Sequence, residues 1–575
     1  MGHDWSYFLP LLLAGHYWIE TNGFWVSPIF TPAFCGGLPL LANPQSVFYS
    51  LLQALTLLMT PVDAAFATLV LSATFGAAGF YLLLRRRFDL SPEAATFSAV
   101  AFLFNGFLIF RVIIGQPHFH SFALIPWIAY AALIGPGSAT PTWGRAVRIL
   151  SASGWVGLAV AYFVYSGSVN ILVPAGLCVV VIWFIHALRA GPRPWFWFIG
   201  VLGGMLGAAI SAANLVPTYV LMDTFPRTYG INLFDNPLHA IRWLMQGLFL
   251  ARTLPEMGWF GRHGIGFGRP EAEFGVTVVP LILIGWALWG LRRQRVCGPG
   301  GGAMRKRRAL LLGGPILLLL GLVFVMNIHI GGDAWHDVLK QVPYVESNAQ
   351  LMRWWFVYIP IILLAAGLAF DRVLVTPSAR TWGMTVGAAC IILLNVTTDM
   401  DYYTDEPYDP ALVMAGWRAV QDGEGPPPIR RVGRAPDEGG RTPREWVNDL
   451  NDQFVLGTSA LPCYEPVFGY GLENFPESPL GDGPVGEAGG GPFNLANPAC
   501  YIYGEENNCR PGDPFGAEEA AAAEAFAEYR PFPHERPRWQ RVAGMLTAAG
   551  LGFFLLSVAV LPGLGRIRSR QDRRR

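Results

Sequence analysis

Charge is what this chain has least of: Asp, Glu, Lys and Arg make up only 14% of its 575 residues, while hydrophobic residues make up 53%. Soluble proteins carry roughly a quarter charged residues, so water is not the main solvent here. The net charge of +1 excludes a polycation built for nucleic acid. No cationic stretch opens the chain and no small-residue cleavage site precedes the first apolar run, so no cleavable signal peptide is expected and export falls to the spans themselves. Cysteines are few, seven in all, and only Cys463, Cys500 and Cys509 fall in a long polar stretch, where disulfide chemistry is expected. Walker, Gly-x-Ser-x-Gly and His-Glu-x-x-His motifs are missing, and the glycines at 203–204 and 300–302 form no phosphate loop.

Long apolar runs are abundant. A bilayer core of about 30 Å needs roughly 20 apolar residues in helix, and lipid requires each backbone amide to be satisfied within the segment. Runs near 62–84, 93–113, 120–134, 151–167, 169–188, 195–222, 274–291, 309–328, 351–370, 381–396 and 542–561 are read as spans. The 20 Trp suit aromatic belts at both interfaces. The expected fold class is an α-helical polytopic membrane protein, a bundle of about 11 spans with an irregular α+β extracytoplasmic domain.

Basic residues alternate between connections. Arg85, Arg86 and Arg87, then Arg145 and Arg148, Arg189 and Arg193, the 292–308 loop, Arg372 and Arg380, and the 566–575 tail mark every second one. Cytoplasmic loops carry such an excess. The expected location is the bacterial inner membrane, multi-pass, with a cytoplasmic C-terminus. The domains read as a first loop, 1–61, extracytoplasmic and re-entrant; a membrane domain, 62–396, with outer loops 223–273 and 329–350; an extracytoplasmic domain, 397–540; and a last span with its basic tail, 541–575. An odd span count with the C-terminus inside places Met1 outside, which suggests a first helix encoded upstream.

Within the first loop, 6–19 is too short to cross and is expected to lie at the interface. A Pro/Gly-rich turn follows, then a short apolar helix, 47–59. An amphipathic helix is expected at 238–250. The outer domain should hold helices at 411–421 and 517–529 and a strand at 429–432. Cys500 and Cys509 are expected to close a short loop as a structural disulfide, which leaves Cys463 odd.

Asp4 stands before the first apolar helix, where a lone acid is commonly an N-cap. His118 and His120 share an outer loop with Gln116, and their spacing fits interfacial packing as well as contact with a phosphate or metal. Arg353 opens a late span, where it can snorkel to the interface or pair with a lipid phosphate. Asn43 and Gln45 could bond a sugar, although turn formation explains Asn43-Pro44 equally.

Asp4-Trp5, Tyr7 to Pro10, the run from Gly36-Gly37-Leu38-Pro39 to Asn43-Pro44-Gln45, Tyr49, Gly115-Gln116-Pro117-His118 before Pro126-Trp127, and Arg353 together resemble the YfhO-like family of bacterial multispan proteins. That family is grouped with the GT-C superfamily of membrane glycosyltransferases. Its own first span has no counterpart here. The resemblance implies transfer of a sugar from a polyprenyl-phosphate donor to an envelope glycan, lipid or protein acceptor on the outer face. Asp4 would be the catalytic base or a metal ligand, and Asn43, Gln45, Gln116, His118, His120 and Arg353 would bind substrate. A divalent cation, magnesium or manganese, with Asp4 and His118 among its ligands, stays open, and no nucleic-acid partner is expected. Two other classes compete. A non-catalytic assembly scaffold needs nothing of Asp4, and a lipid or solute transporter would use polar groups at mid-membrane, for which Asn105, Asn214 and Asn327 are the candidates.

Overall fold

The computed structural model describes residues 1–134, 142–225, 237–250, 273–296, 337–338, 341, 351–397, 407–433, 448–461, 463–465, 480–486 and 491–560. The expected span 309–328, Asn327 with it, and the basic tail lie outside the described residues.

The chain opens with α1 (Trp5–Asn22), a two-stranded antiparallel ribbon of β1 (Phe30–Thr31) and β2 (Leu38–Pro39), and the short α2 (Leu51–Leu55). The membrane part follows with α3 (Pro61–Arg87), α4 (Pro92–Leu103), α5 (Gly106–Ile114), α6 (Ile125–Ala132), α7 (Thr142–Tyr165), α8 (Leu172–Ala190), α9 (Trp195–Ile210), α10 (Ala212–Thr224) and α11 (Pro237–Phe249). Helices Val278–Val296, Tyr358–Val373, Pro377–Val396 and Arg538–Leu555 complete it. Seven described helices are long and apolar enough to cross a membrane, or eight if the bent pair α9 and α10 is one span. The protein is a polytopic helical one.

Several expected spans are not single helices, and two depart most. The 120–134 run begins as a 3-10 helix, Pro117–Leu124, and continues as the short α6. Its apolar residues are buried against α3 and α7 instead of crossing lipid, since the run is well under the ~20 residues needed. The 195–222 run bends by 77° between α9 and α10. The freed Ile210 carbonyl accepts the Tyr165 hydroxyl at 3.0 Å, and the Ala213 amide donates to Thr547 Oγ1 at 3.0 Å. A shorter interruption, at Phe104 and Asn105, separates α4 from α5 within a single candidate span, Pro92–Ile114. Asn105 caps α5 by accepting from the Leu108 amide, and Asn395 Nδ2 donates to the Phe104 carbonyl at 2.6 Å. Asn214 Nδ2 donates to the Leu41 carbonyl. Of these candidates for a transport path, Asn105 therefore serves backbone freed at a helix break, and Asn214 serves the Leu41 carbonyl of the first loop.

The described basic connections meet at one end of the bundle. Arg87 and Arg193 feel each other's charge, Asp371 accepts from the Ser91 amide at 2.8 Å, and Arg380 approaches Asp371 at 3.7 Å.

At the opposite end sits the polar module. Its sheet runs β4 (Thr458–Ala460), β3 (Arg431–Gly433), β5 (Gly483–Pro484), with β3 parallel to β4 and antiparallel to β5. The expected interfacial helix 6–19 does not rest on lipid. Every residue of α1 from Trp5 to Ile19 is buried, packed with Val413, Phe454 and Tyr529 of the module and with Ala65 and Val112 of the bundle. A helix apolar on all sides belongs inside a core, and α1 is that core. Only Leu51–Leu55 of the expected 47–59 helix is α-helical.

Cys500 and Cys509 pair, with Cα atoms 5.4 Å apart. Cys463 is not odd: it pairs with Cys35, Cα to Cα 5.3 Å, across 428 residues. Cys35 lies outside the polar stretch where composition puts disulfide chemistry, and only the fold brings it to Cys463. The neighbouring backbone is stitched as well, with the Cys35 amide on the Ala460 carbonyl at 2.9 Å and the Gly36 amide on Ser459 Oγ at 3.0 Å. Protease cuts between 35 and 463 are therefore expected to release separate fragments on denaturing gels only after reduction. Separation without reductant would refute the pairing.

Candidate functional site

Asp4 occupies the N-cap position of α1, yet its side chain makes no capping bond. Its carboxylate turns away from the helix to three donors from separate parts of the chain. Gln116 Nε2 donates to Oδ2, the Tyr464 hydroxyl donates to Oδ1 at 3.3 Å, and His3 Nδ1 lies 3.1 Å from Oδ1. Gln116 comes from the membrane bundle and Tyr464 from the polar module, so this one carboxylate joins the two.

The Gln116 amide has a fixed sense. Its Oε1 accepts from Arg111 Nη1 at 2.9 Å, and because arginine can only donate, the NH₂ end must face Asp4. Arg111 is 1% exposed, and its guanidinium lies 5.5 Å from the ring centres of both Phe107 and Phe119. Gly115 ends α5 in the left-handed region, φ +114°, and there α5 meets α1: the Asp4 amide donates to the Ile114 carbonyl at 2.9 Å.

One turn along α1, the Tyr7 hydroxyl donates to Glu465 Oε2 at 3.4 Å. Asn43 Nδ2 reaches both the Tyr7 hydroxyl and Glu465 Oε2 at 3.1 Å. Burial, then the Glu465 charge, push the Tyr7 hydroxyl well above its usual pKa, so it acts only as a hydrogen-bonding group. Residues Cys463, Tyr464 and Glu465 thus set a disulfide, a hydrogen-bond donor to Asp4 and a buried carboxylate side by side. Gln45 stands beside them. Its amide donates to Asn43 Oδ1 at 2.8 Å, and its Oε1 is buried with no hydrogen-bond partner.

His118 stacks on Phe8 of α1 with ring centres 4.7 Å apart. It is 2% exposed, and neither ring nitrogen has a hydrogen-bond partner. Burial, reinforced by the charges of Arg353, His120 and Arg111, pushes its pKa well below the ordinary value, so the ring is neutral at pH 7. Buried unpaired donors and acceptors are uncommon, and where they cluster near cations they mark a place for an anionic or polar ligand. His118→Leu removes two unpaired polar atoms. The expected result is a protein as stable as the parent, or more stable by about 1–3 kcal/mol in thermal unfolding. A midpoint well below the parent's would show that the ring nitrogens are satisfied in the folded protein.

His120 is placed differently. Pro117 offers only a carbonyl, so Nδ1, 2.9 Å from it, is the donor. Nε2 then accepts from the Tyr162 hydroxyl at 2.7 Å, and that oxygen accepts the Leu51 amide at 3.0 Å. Both ring nitrogens are occupied in holding α7 and α2 together.

Asp4, Asn43, Gln116 and His118 are thus gathered around the start of α1, with the charge of Arg353 felt at His118, while His120 faces away into packing. Sequence motifs do not point to Arg111, Tyr464 or Glu465, and Tyr7 enters only through the family resemblance. An arginine inside the apolar run Gly106–Ile114 was the available signal for the first. Nothing in the sequence ties residues 464 and 465 to residue 4. Among the described residues, no group of three or more His, Cys, Asp or Glu side chains is placed to hold a metal ion.

No family model, no curated protein and no solved structure matches this chain.

Proposed function

We propose that the chain is an inner-membrane glycosyltransferase that moves a sugar from a polyprenyl-phosphate donor to an acceptor hydroxyl on the outer face. The single observation that carries this reading is the Asp4 carboxylate, turned off its capping position and held between bundle and polar module beside the unpartnered, buried His118. The resemblance to YfhO-like and GT-C proteins supports the same reaction. So does the alternation of basic connections, which favours an oxidising, extracytoplasmic setting with no nucleotide sugars for the polar module and both disulfides.

In the reaction, the acceptor oxygen attacks the anomeric carbon and gives its proton to the Asp4 carboxylate. The bond from that carbon to the phosphate oxygen breaks, and the phosphate leaves with the electron pair. Arg111, Arg353 and His118 lie where a leaving anion is stabilised. Gln116 and Tyr464 fix the carboxylate, and Tyr7, Asn43 and Glu465 offer hydroxyl-binding groups one turn further along α1.

The test is genetic. A strain lacking the protein is complemented with the parent or with Asp4→Asn, and its extracytoplasmic glycolipids and glycopolymers are compared. The parent is expected to restore a glycan that Asp4→Asn does not. Full restoration by the variant would favour an assembly scaffold instead.

A further inference from the structure

A second group of unsatisfied polar side chains lies at the opposite, basic end of the bundle, far from Asp4 in the fold. Arg87 closes α3 with its guanidinium stacked 4.2 Å above the Tyr130 ring, and its Nε donates to the Tyr130 carbonyl at 3.1 Å. Face and Nε are thereby fixed, and the two terminal nitrogens are left with no hydrogen-bond partner among the described residues. Arg193, in the connection from α8 to α9, lies close enough for the two like charges to oppose each other. Its Nε is buried without a partner. Neither arginine has a carboxylate within ion-pair distance among the described residues, and Asp89, the acid felt by the neighbouring His186, is exposed.

Behind them stands His186 of α8, fully buried, its ring edge-on to Phe88 at 5.5 Å. Neither ring nitrogen has a hydrogen-bond partner of good geometry, and the Arg87 backbone lies beside the ring. Two guanidinium groups whose charges oppose each other, one of them stacked and hydrogen-bonded in place, have no counter-anion among the described residues and lie near a buried imidazole, a setting that favours an anion. The start of α9 shows where that charge would come from. Trp195, Trp197 and Phe198 are 37%, 51% and 50% exposed, an aromatic belt of the kind that sits at headgroup depth.

We propose that Arg87 and Arg193, backed by His186, bind the phosphate of an anionic membrane lipid at the basic end of the bundle. Arginine forks match phosphate oxygens two at a time, and basic pockets between spans take acidic headgroups in this way. The site stands on its own observations and does not depend on the sugar-transfer reading.

The test uses the full chain purified in detergent, with phosphatidylglycerol and, separately, inorganic phosphate as probes. Native mass spectrometry is expected to show phosphatidylglycerol retained by the parent and by Arg86→Gln, an exposed neighbour. Arg87→Gln and Arg193→Gln should each retain about tenfold less. Arg193→Gln lies in a connection, so it remains informative if Arg87→Gln, which also loses Tyr130, fails to fold. Equal retention by the parent and Arg193→Gln would overturn the site. Thermal stabilisation by inorganic phosphate without any retained phosphatidylglycerol would assign it to a free anion and overturn the lipid.

Discussion

Asp4→Asn is expected to leave the protein folded and inserted while lowering sugar transfer at least ~100-fold, the usual contribution of a positioned proton acceptor. Folding should survive because the surrounding donors can adapt. The Asn oxygen takes the place of Oδ2 and accepts from Gln116, whose sense Arg111 fixes. Its amide then donates to the Tyr464 hydroxyl, which can accept as well as donate, and His3 can present its bare nitrogen. Such an exchange costs about 1 kcal/mol, while the ability to take a proton is lost entirely. Asp4→Ala is the harsher change, because it strands Gln116 Nε2 and the Tyr464 hydroxyl and should lower stability as well. The measurement is transfer from a polyprenyl-phosphate sugar by purified protein, with a thermal unfolding midpoint beside it. An Asn variant with parental transfer would remove the carboxylate from the chemistry.

The membrane part was legible because lipid imposes a strong rule on composition. Runs such as those of α3 and Arg538–Leu555 form helices long and apolar enough to cross a membrane. The exceptions are instructive. Length separates a true span from the 117–132 segment, which is equally apolar but serves as bundle core. Nothing in the apolar content of 195–222 marks the bend at Ser211, because the groups that satisfy the broken backbone, Tyr165 and Thr547, lie far away in sequence. Membrane rules also misplaced α1. Its run suits an interface, and only the module folding back over it turns it into an internal helix. The site divides in the same way. Asp4, Gln116, His118 and Arg353 stand in loops or at span ends, where a polar residue draws attention. Tyr464 and Glu465 lie in an irregular segment whose link to Asp4 depends on a contact across 460 residues, and their only local signal was the apparently unpaired Cys463.

Gly115→Ala carries the second large effect, and it tests geometry where Asp4→Asn tests chemistry. At φ +114° residue 115 sits where a side chain is strained, and an added Cβ would fall 2.1 Å from the Trp5 amide nitrogen and 2.5 Å from the Asp4 carbonyl carbon. Both obstacles are backbone, so no rotamer change relieves them. Either α1 retreats from α5 or the end of α5 unwinds, at a cost of about 3 kcal/mol or more. Retreat would break the Asp4 amide bond to Ile114 and draw the carboxylate away from Gln116. A displacement of about 1 Å at a reacting group commonly costs ~100-fold in rate, so transfer should fall nearly as far as in Asp4→Asn although every catalytic side chain is present. Gly176→Ala is the control, since an added Cβ at that helical position meets nothing within 4 Å, and it should change neither transfer nor unfolding. Parental transfer by Gly115→Ala would mean that Asp4 is not held by the junction of α1 with α5. A lowered unfolding midpoint together with lost transfer is the expected pair of results, because one backbone contact both stabilises that junction and aims the carboxylate.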